Sequence, residues 1–153
     1  MKRLLFIIFL LNVIVLSYAD HNWLAIKLGS GTETPGIGFA FEARYTDFGA
    51  IGGIGFPNGS VGLSISSKYY LLDSYDQTLF LSLGYGLLNF MILELDTELI
   101  ETSLVYGPFL MIGISKTWDY ILADYSLGTG YSHVSKSLVL TAQASLGFIL
   151  YTF

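Results

Sequence analysis

Side chains able to do chemistry are few in this sequence, and their spacing narrows what that chemistry would be. Cysteine is absent and there are two histidines, so thiol nucleophiles and cysteine-based zinc sites are excluded. His133 stands two residues before Ser135, a base and a hydroxyl that together could run acyl hydrolysis. A histidine activates serine well only when an acid orients its ring, and no Asp or Glu follows Asp124. The segment around His133 therefore reads as a polar surface loop. Glu94, Asp96 and Glu98 would share one face of an extended chain and, with Glu101, make the one dense acidic cluster. Carboxylate oxygens suit Ca²⁺ or Mg²⁺, but the Asp/Asn-Gly pattern of a calcium loop is missing, which leaves a solvated acidic loop. Asp20-His21 reads as a chain terminus, not a metal site. Gly84-Tyr85-Gly86 and Gly128-Thr129-Gly130 lack the helix that follows a phosphate cradle. No metal, cofactor or catalysis is expected.

The other charges fall into a pattern only when the elements that carry them are drawn. Most of the chain alternates apolar and small or polar residues with period two, the period of a strand. Ile37, Phe39, Phe41, Ala43 and Tyr45 oppose Gly38, Ala40, Glu42, Arg44 and Thr46, and Val61, Leu63, Ile65 and Tyr69 oppose Gly62, Ser64, Ser66 and Lys68. Leu79, Leu81, Leu83, Tyr85 and Leu87 oppose Phe80, Ser82, Gly84 and Gly86; Tyr106, Leu110, Ile112 and Ile114 oppose Gly107, Met111, Gly113 and Ser115. Ile121, Ala123, Tyr125 and Leu127 oppose Asp124, Ser126, Gly128 and Gly130, and Leu138, Leu140, Leu146, Phe148 and Leu150 oppose Thr141, Gln143, Ser145 and Gly147. Leu24, Ile26 and Leu28 oppose Trp23, Ala25 and Lys27 over 22–29, and the glycine-rich 49–56 supplies one more strand. Turn residues punctuate these runs at 30–36, 47–49, 57–59, 72–77, 89–97, 116–119 and 132–137. Asn58-Gly59 is a strong hairpin signal because both residues tolerate positive φ. Seven connections join eight strands into one all-β domain over 20–153.

Composition fixes which phase faces out. The chain has 153 residues, 53% hydrophobic and 12% charged, with a mean hydropathy of +0.61. Disorder and an ordinary soluble enzyme are excluded. A net charge of −5, with no basic run after Arg3, excludes phosphate-backbone binding and so nucleic acid. The bulky apolar phase is too large for the lumen of an eight-stranded barrel, whereas Gly, Ser and Ala fit it. The expected fold is a closed antiparallel up-and-down transmembrane β-barrel with lipid outside and the small, polar phase inside. Lys27, Arg44 and Lys68 then face Glu42, Glu101 and Asp124 inside, three against three. Buried charges persist when paired, so these six are expected to form a network that plugs the lumen. Tyr45, Tyr69, Trp118, Tyr120 and Tyr151 would ring one interface, and Tyr85, Tyr106 and Tyr131 the other.

Lys2 and Arg3 precede an apolar run over 4–16 and the small-residue pattern Ser17-Tyr18-Ala19. Residues 1–19 read as a secretory signal peptide cleaved after Ala19, since the run falls short of the roughly 20 residues of a spanning helix.

The signal segment, eight alternating segments and a terminal Phe153 preceded by Tyr151 together resemble the small outer-membrane β-barrels of the OmpA/OmpX type. The resemblance covers all of 20–153 as a pattern, without a signature motif. It implies a monomer in the bacterial outer membrane, reached by export through the inner membrane, with both chain ends in the periplasm. Its partners would be outer-membrane lipids and, during biogenesis, the barrel-assembly machinery, which in that family reads a C-terminal aromatic; here that signal would be Phe153 with Tyr151 and Ile149. The apolar phase of Leu146, Phe148 and Leu150 is opposite to that of Phe153, so either a bulge shifts the phase or the signal is imperfect. The implied role is structural or loop-mediated. Two alternatives stand beside it. His133 and Ser135 resemble the pair in outer-membrane lipid A deacylases, although Lys136 occupies the place of that motif's Asn. A secreted soluble barrel binding an apolar ligand is the other.

Overall fold

The computed structural model describes every residue except 1–21, 74–76, 90–103 and 135. The expected signal segment, the acidic residues Glu94, Asp96, Glu98 and Glu101, and Ser135 lie outside the described residues. Eight strands follow one another: β1 (Trp23–Gly31), β2 (Gly36–Tyr45), β3 (Phe48–Gly55), β4 (Gly62–Asp73), β5 (Gln77–Asn89), β6 (Val105–Trp118), β7 (Ile121–Ser132) and β8 (Ser137–Thr152). Each pairs antiparallel with the next, and β8 pairs back onto β1 to close the barrel. Closure leaves no open edge on which another strand could add.

The alternation read from the sequence is the alternation of the wall. Ile37, Phe39, Phe41 and Ala43 are exposed while Gly38, Ala40 and Glu42 between them are buried. β6 and β8 repeat this over most of their lengths. The glycine-rich third strand is real and begins one residue early, at Phe48. Three aromatic or aliphatic residues depart from their expected phase: Tyr45 is buried, not part of an exposed ring of tyrosines, Ala123 is buried on β7, and Leu87 is buried beside a register shift between Leu87 and Asn89.

The strands run further than their apolar cores. Lys116 and Thr117, expected in a turn, pair with Ala123 and Leu122, which confines the β6–β7 turn to Asp119 and Tyr120. The β2–β3 turn is equally tight, Thr46 and Asp47. Thr46 and Asp119 both take positive φ, 49° and 50°, the left-handed start that primed hairpin turns require. The Asn58-Gly59 hairpin forms with a different geometry: Pro57 opens a single 3₁₀ turn closed by Ser60 N–H donating to the Pro57 carbonyl at 2.9 Å, and Gly59 takes φ 79°. Short turns share one end of the barrel with Trp23 and Phe153, and the longer connections share the other.

At the closing seam Leu24 pairs with Tyr151 but Ala25 pairs with Ile149, so Leu150 is the extra residue of a bulge. Ile149 stays inside with Trp23, Ala25 and Leu122. Beyond the bulge Tyr151 and Phe153 are both exposed, their rings stacked 5.8 Å apart.

Candidate functional site

Four strands carry one ionisable residue each to the same level of the lumen. Lys27 lies on β1, Glu42 on β2, Lys68 on β4 and Asp124 on β7, each on the inward phase and each fully buried. Their heads form a ring of alternating sign. Lys27 Nζ lies 2.5 Å from Glu42 Oε2 and 2.9 Å from Asp124 Oδ2; Lys68 Nζ lies 3.1 Å from Glu42 Oε2 and 2.5 Å from Asp124 Oδ2. Each ammonium thus donates to two carboxylates and each carboxylate accepts from two ammoniums, the pairing that buried charge requires. Glu42 spends its other oxygen on the Tyr70 hydroxyl, which donates to it. Lys68 Nζ also sits 4.1 Å over the Phe80 ring, an attraction that desolvation strengthens. Asp124 Oδ1 and Ser145 Oγ, cross-strand neighbours, have no hydrogen-bond partner among the described residues.

Arg44 belongs to the layer toward the tight turns. Its guanidinium lies 3.9 Å over the Tyr70 ring, and Nε donates to the Thr46 carbonyl at 2.8 Å. It reaches the ring of charges through Tyr70.

Among the described residues a third buried carboxylate is Glu33, which lies in the turn read from the sequence at 30–36. The β1–β2 connection, 32–35, folds inward, and Thr32, Glu33 and Thr34 are buried. Glu33 Oε2 lies 3.8 Å from Lys27 Nζ and 4.0 Å from Lys68 Nζ. Three wall residues donate to its carboxylate: Ser66 at 3.1 Å and Ser82 at 2.5 Å to Oε1, and Gln143 Nε2 at 3.1 Å to Oε2. The backbone is held as firmly, with Glu33 N–H donating to Gln143 Oε1 at 2.6 Å and Ser64 Oγ donating to the Glu33 carbonyl at 2.6 Å. Glycine makes room for this turn. A Cβ on Gly53 would strike the Glu33 carbonyl oxygen and one on Gly55 the Pro35 carbonyl oxygen, so β3, against which the turn lies, must lack side chains there.

Apolar residues flank the charged layers. Trp23, Ala25, Leu122 and Ile149 pack on the side of the tight turns, and Leu88, Phe109 and Met111 form the other buried cluster. Of the six charges expected inside, the structure brings together Lys27, Glu42, Lys68 and Asp124, sets Arg44 one layer away, and leaves Glu101 outside the described residues. The residues that sequence reasoning missed are Glu33, Tyr70 and Gln143. Charge balance gave no signal for Glu33, because Glu42, Glu101 and Asp124 already matched the three inward cations in the strand pattern.

His133 is exposed at the end of the longer connections. Its ring stacks near Tyr85, 6.4 Å between centroids, and meets the edge of Tyr131 at 5.5 Å. Those rings are its interaction partners among the described residues, and Ser135 lies outside them. On the outer wall, Leu28, Ile37, Phe41, Leu63, Ile65, Leu83, Ile112, Leu127, Leu140 and Phe148 are all exposed. Comparison with known protein families, with curated proteins and with solved structures finds no match to this chain.

Proposed function

We infer that this chain spans a bacterial outer membrane as a monomeric barrel of the OmpA/OmpX type, with a closed lumen and a structural or loop-mediated role in the envelope. The observation that carries this reading is the inverted wall. Bulky apolar side chains are exposed along β1, β2 and β4 to β8, with Ala50 and Gly52 in their place at the middle of β3, while Lys27, Glu42, Arg44, Lys68 and Asp124 of the same wall are buried. An exposed apolar belt of that extent in water would drive association, and lipid is the solvent it suits. A soluble carrier of apolar ligands would need the opposite orientation, with an apolar lumen.

The buried network supports the closed state. Lys27, Glu42, Lys68 and Asp124 join side chains from four strands across the lumen, and the 32–35 turn stacks upon them. Eight strands enclose little more than their own side chains. Exposed Tyr69, Trp118, Tyr120, Tyr151 and Phe153 at one end, with Tyr85 and Tyr131 toward the other, suit the two interfaces. The exposed Tyr151–Phe153 stack on the terminal strand is the surface that the assembly machinery would read, with periplasmic chain ends beside the tight turns. Lipid hydrolysis by His133 and Ser135 would require an orienting carboxylate that the described surroundings of His133 do not supply.

Reconstitution tests the reading. The purified protein should fold into lipid vesicles and show negligible conductance in planar bilayers. Large, steady channels would move the function to a pore, and failure to insert would return the chain to a soluble role.

A further inference from the structure

We propose that the lumen contains a carboxylate-binding site, built by the barrel wall and occupied in cis by Glu33. The donors and the acceptor come from structurally different places. Ser66, Ser82 and Gln143 stand on β4, β5 and β8, inside the closed wall, and converge on one carboxylate. The carboxylate itself arrives on a four-residue turn bracketed by Gly31 and Gly36, both at positive φ, 138° and 68°. The wall is thus a receptor, and the turn supplies its occupant. Lys27 and Lys68 behind the donors, 3.8 and 4.0 Å from Glu33 Oε2, extend the site's preference to the ionised form.

Charge gives a second, independent reason. With Glu33 in place, Lys27, Arg44 and Lys68 match Glu33, Glu42 and Asp124. With the turn withdrawn, the described wall residues hold three buried cations against two buried carboxylates, so the vacated site attracts an anion. Its geometry favours a planar, two-oxygen acceptor, because Ser66 and Ser82 address one oxygen and Gln143 the other. The ligand class is a small monocarboxylate, or the carboxylate end of a slender solute entering from the side of the longer connections. Glu33 is then an internal competitor, and the barrel admits such a solute only when the turn gives way.

The site can be tested by chemical rescue. Glu33→Ala removes the equivalent of one acetate ion. In detergent micelles this variant should melt below the wild type in sodium chloride, and sodium acetate at equal ionic strength should raise its melting temperature by about 5 °C at a concentration some tenfold above Kd. Wild type should respond alike to both salts, since its site is filled. Adding Ser82→Ala and Gln143→Ala to Glu33→Ala should abolish the acetate response. If Glu33→Ala does not refold in chloride, recovery of folded barrel in acetate is the same test. Equal behaviour of Glu33→Ala in acetate and chloride, refolding in neither, or a response that survives loss of the donors would overturn the proposal. The inference rests on the closed-lumen reading but is measured without a bilayer. Rescue in micelles combined with failure to insert into vesicles would retire the membrane reading and leave the site standing, and the reverse result would do the opposite.

Discussion

Glu42 is the residue on which the lumen turns, because each of its oxygens is committed: Oε2 to Lys27 and Lys68, Oε1 to the Tyr70 hydroxyl. Removing that hydroxyl leaves a buried carboxylate oxygen short of a donor, and Tyr70→Phe is expected to cost about 1.5 to 3 kcal/mol, the range for hydrogen bonds to charged groups. Lys68→Met does more damage, since Glu42 and Asp124 each lose one of two ammoniums; about 3 to 5 kcal/mol is expected for breaking a buried pair. Paired removal, Lys68→Met with Asp124→Leu, should cost less than the sum of the single changes, because it deletes one charge of each sign. Chemical unfolding in micelles measures all of these, and strict additivity would mean that the ring is not coupled. Lys27, Glu42, Lys68 and Asp124 were legible in the sequence because each sits on a strand whose phase assigns it a face. Glu33 was not, because a turn has no period to read.

The β1–β2 connection shows how an element can be recognised and still misplaced. Its turn chemistry, with glycines at both ends and Pro35, was plain, but the direction of a turn is set by what it meets. Gly53 and Gly55 open the facing wall and the Gln143 amide waits for the Glu33 backbone. Gly53→Ala puts a methyl group against the Glu33 carbonyl oxygen, and overpacking of this kind is expected to cost about 1 to 3 kcal/mol. A melting temperature unchanged by that substitution would argue that the turn does not sit against β3. The eight strands themselves were legible because outward and inward residues alternate over most of their lengths, and boundaries erred where pairing continues through polar residues such as Lys116 and Thr117. The terminal strand carried a visible conflict of phase between Phe148 and Phe153, and the Leu150 bulge resolves it by bringing Tyr151 and Phe153 to the outer surface. Deleting Phe153 should therefore slow assembly into membranes more than it lowers stability, and equal insertion of full-length and truncated chains would count against that role.

At the scale of the whole molecule, one inversion connects composition with architecture: apolar side chains out, charges in. The sequence revealed it through the size of the apolar phase, but a strand pattern assigns a residue its face and not its partners, which depend on contacts between residues such as Lys27 and Asp124 that are 97 positions apart. If lipid covers the wall, arginine should be tolerated according to depth. Ile112→Arg, at the middle of β6, is expected to cost about 2 to 4 kcal/mol, and Tyr120→Arg, in the tight turn, about 0 to 1 kcal/mol. The absence of cysteine permits a more direct probe, a nitroxide on a single Ile112→Cys variant folded in vesicles. Electron paramagnetic resonance then reports whether apolar oxygen or a water-soluble nickel complex reaches the label. A label that collides with oxygen and is shielded from nickel is the expected result, with a lumen label at Ser126→Cys shielded from both; a label at position 112 open to nickel and not to oxygen would place that face in water and end the case for a membrane barrel.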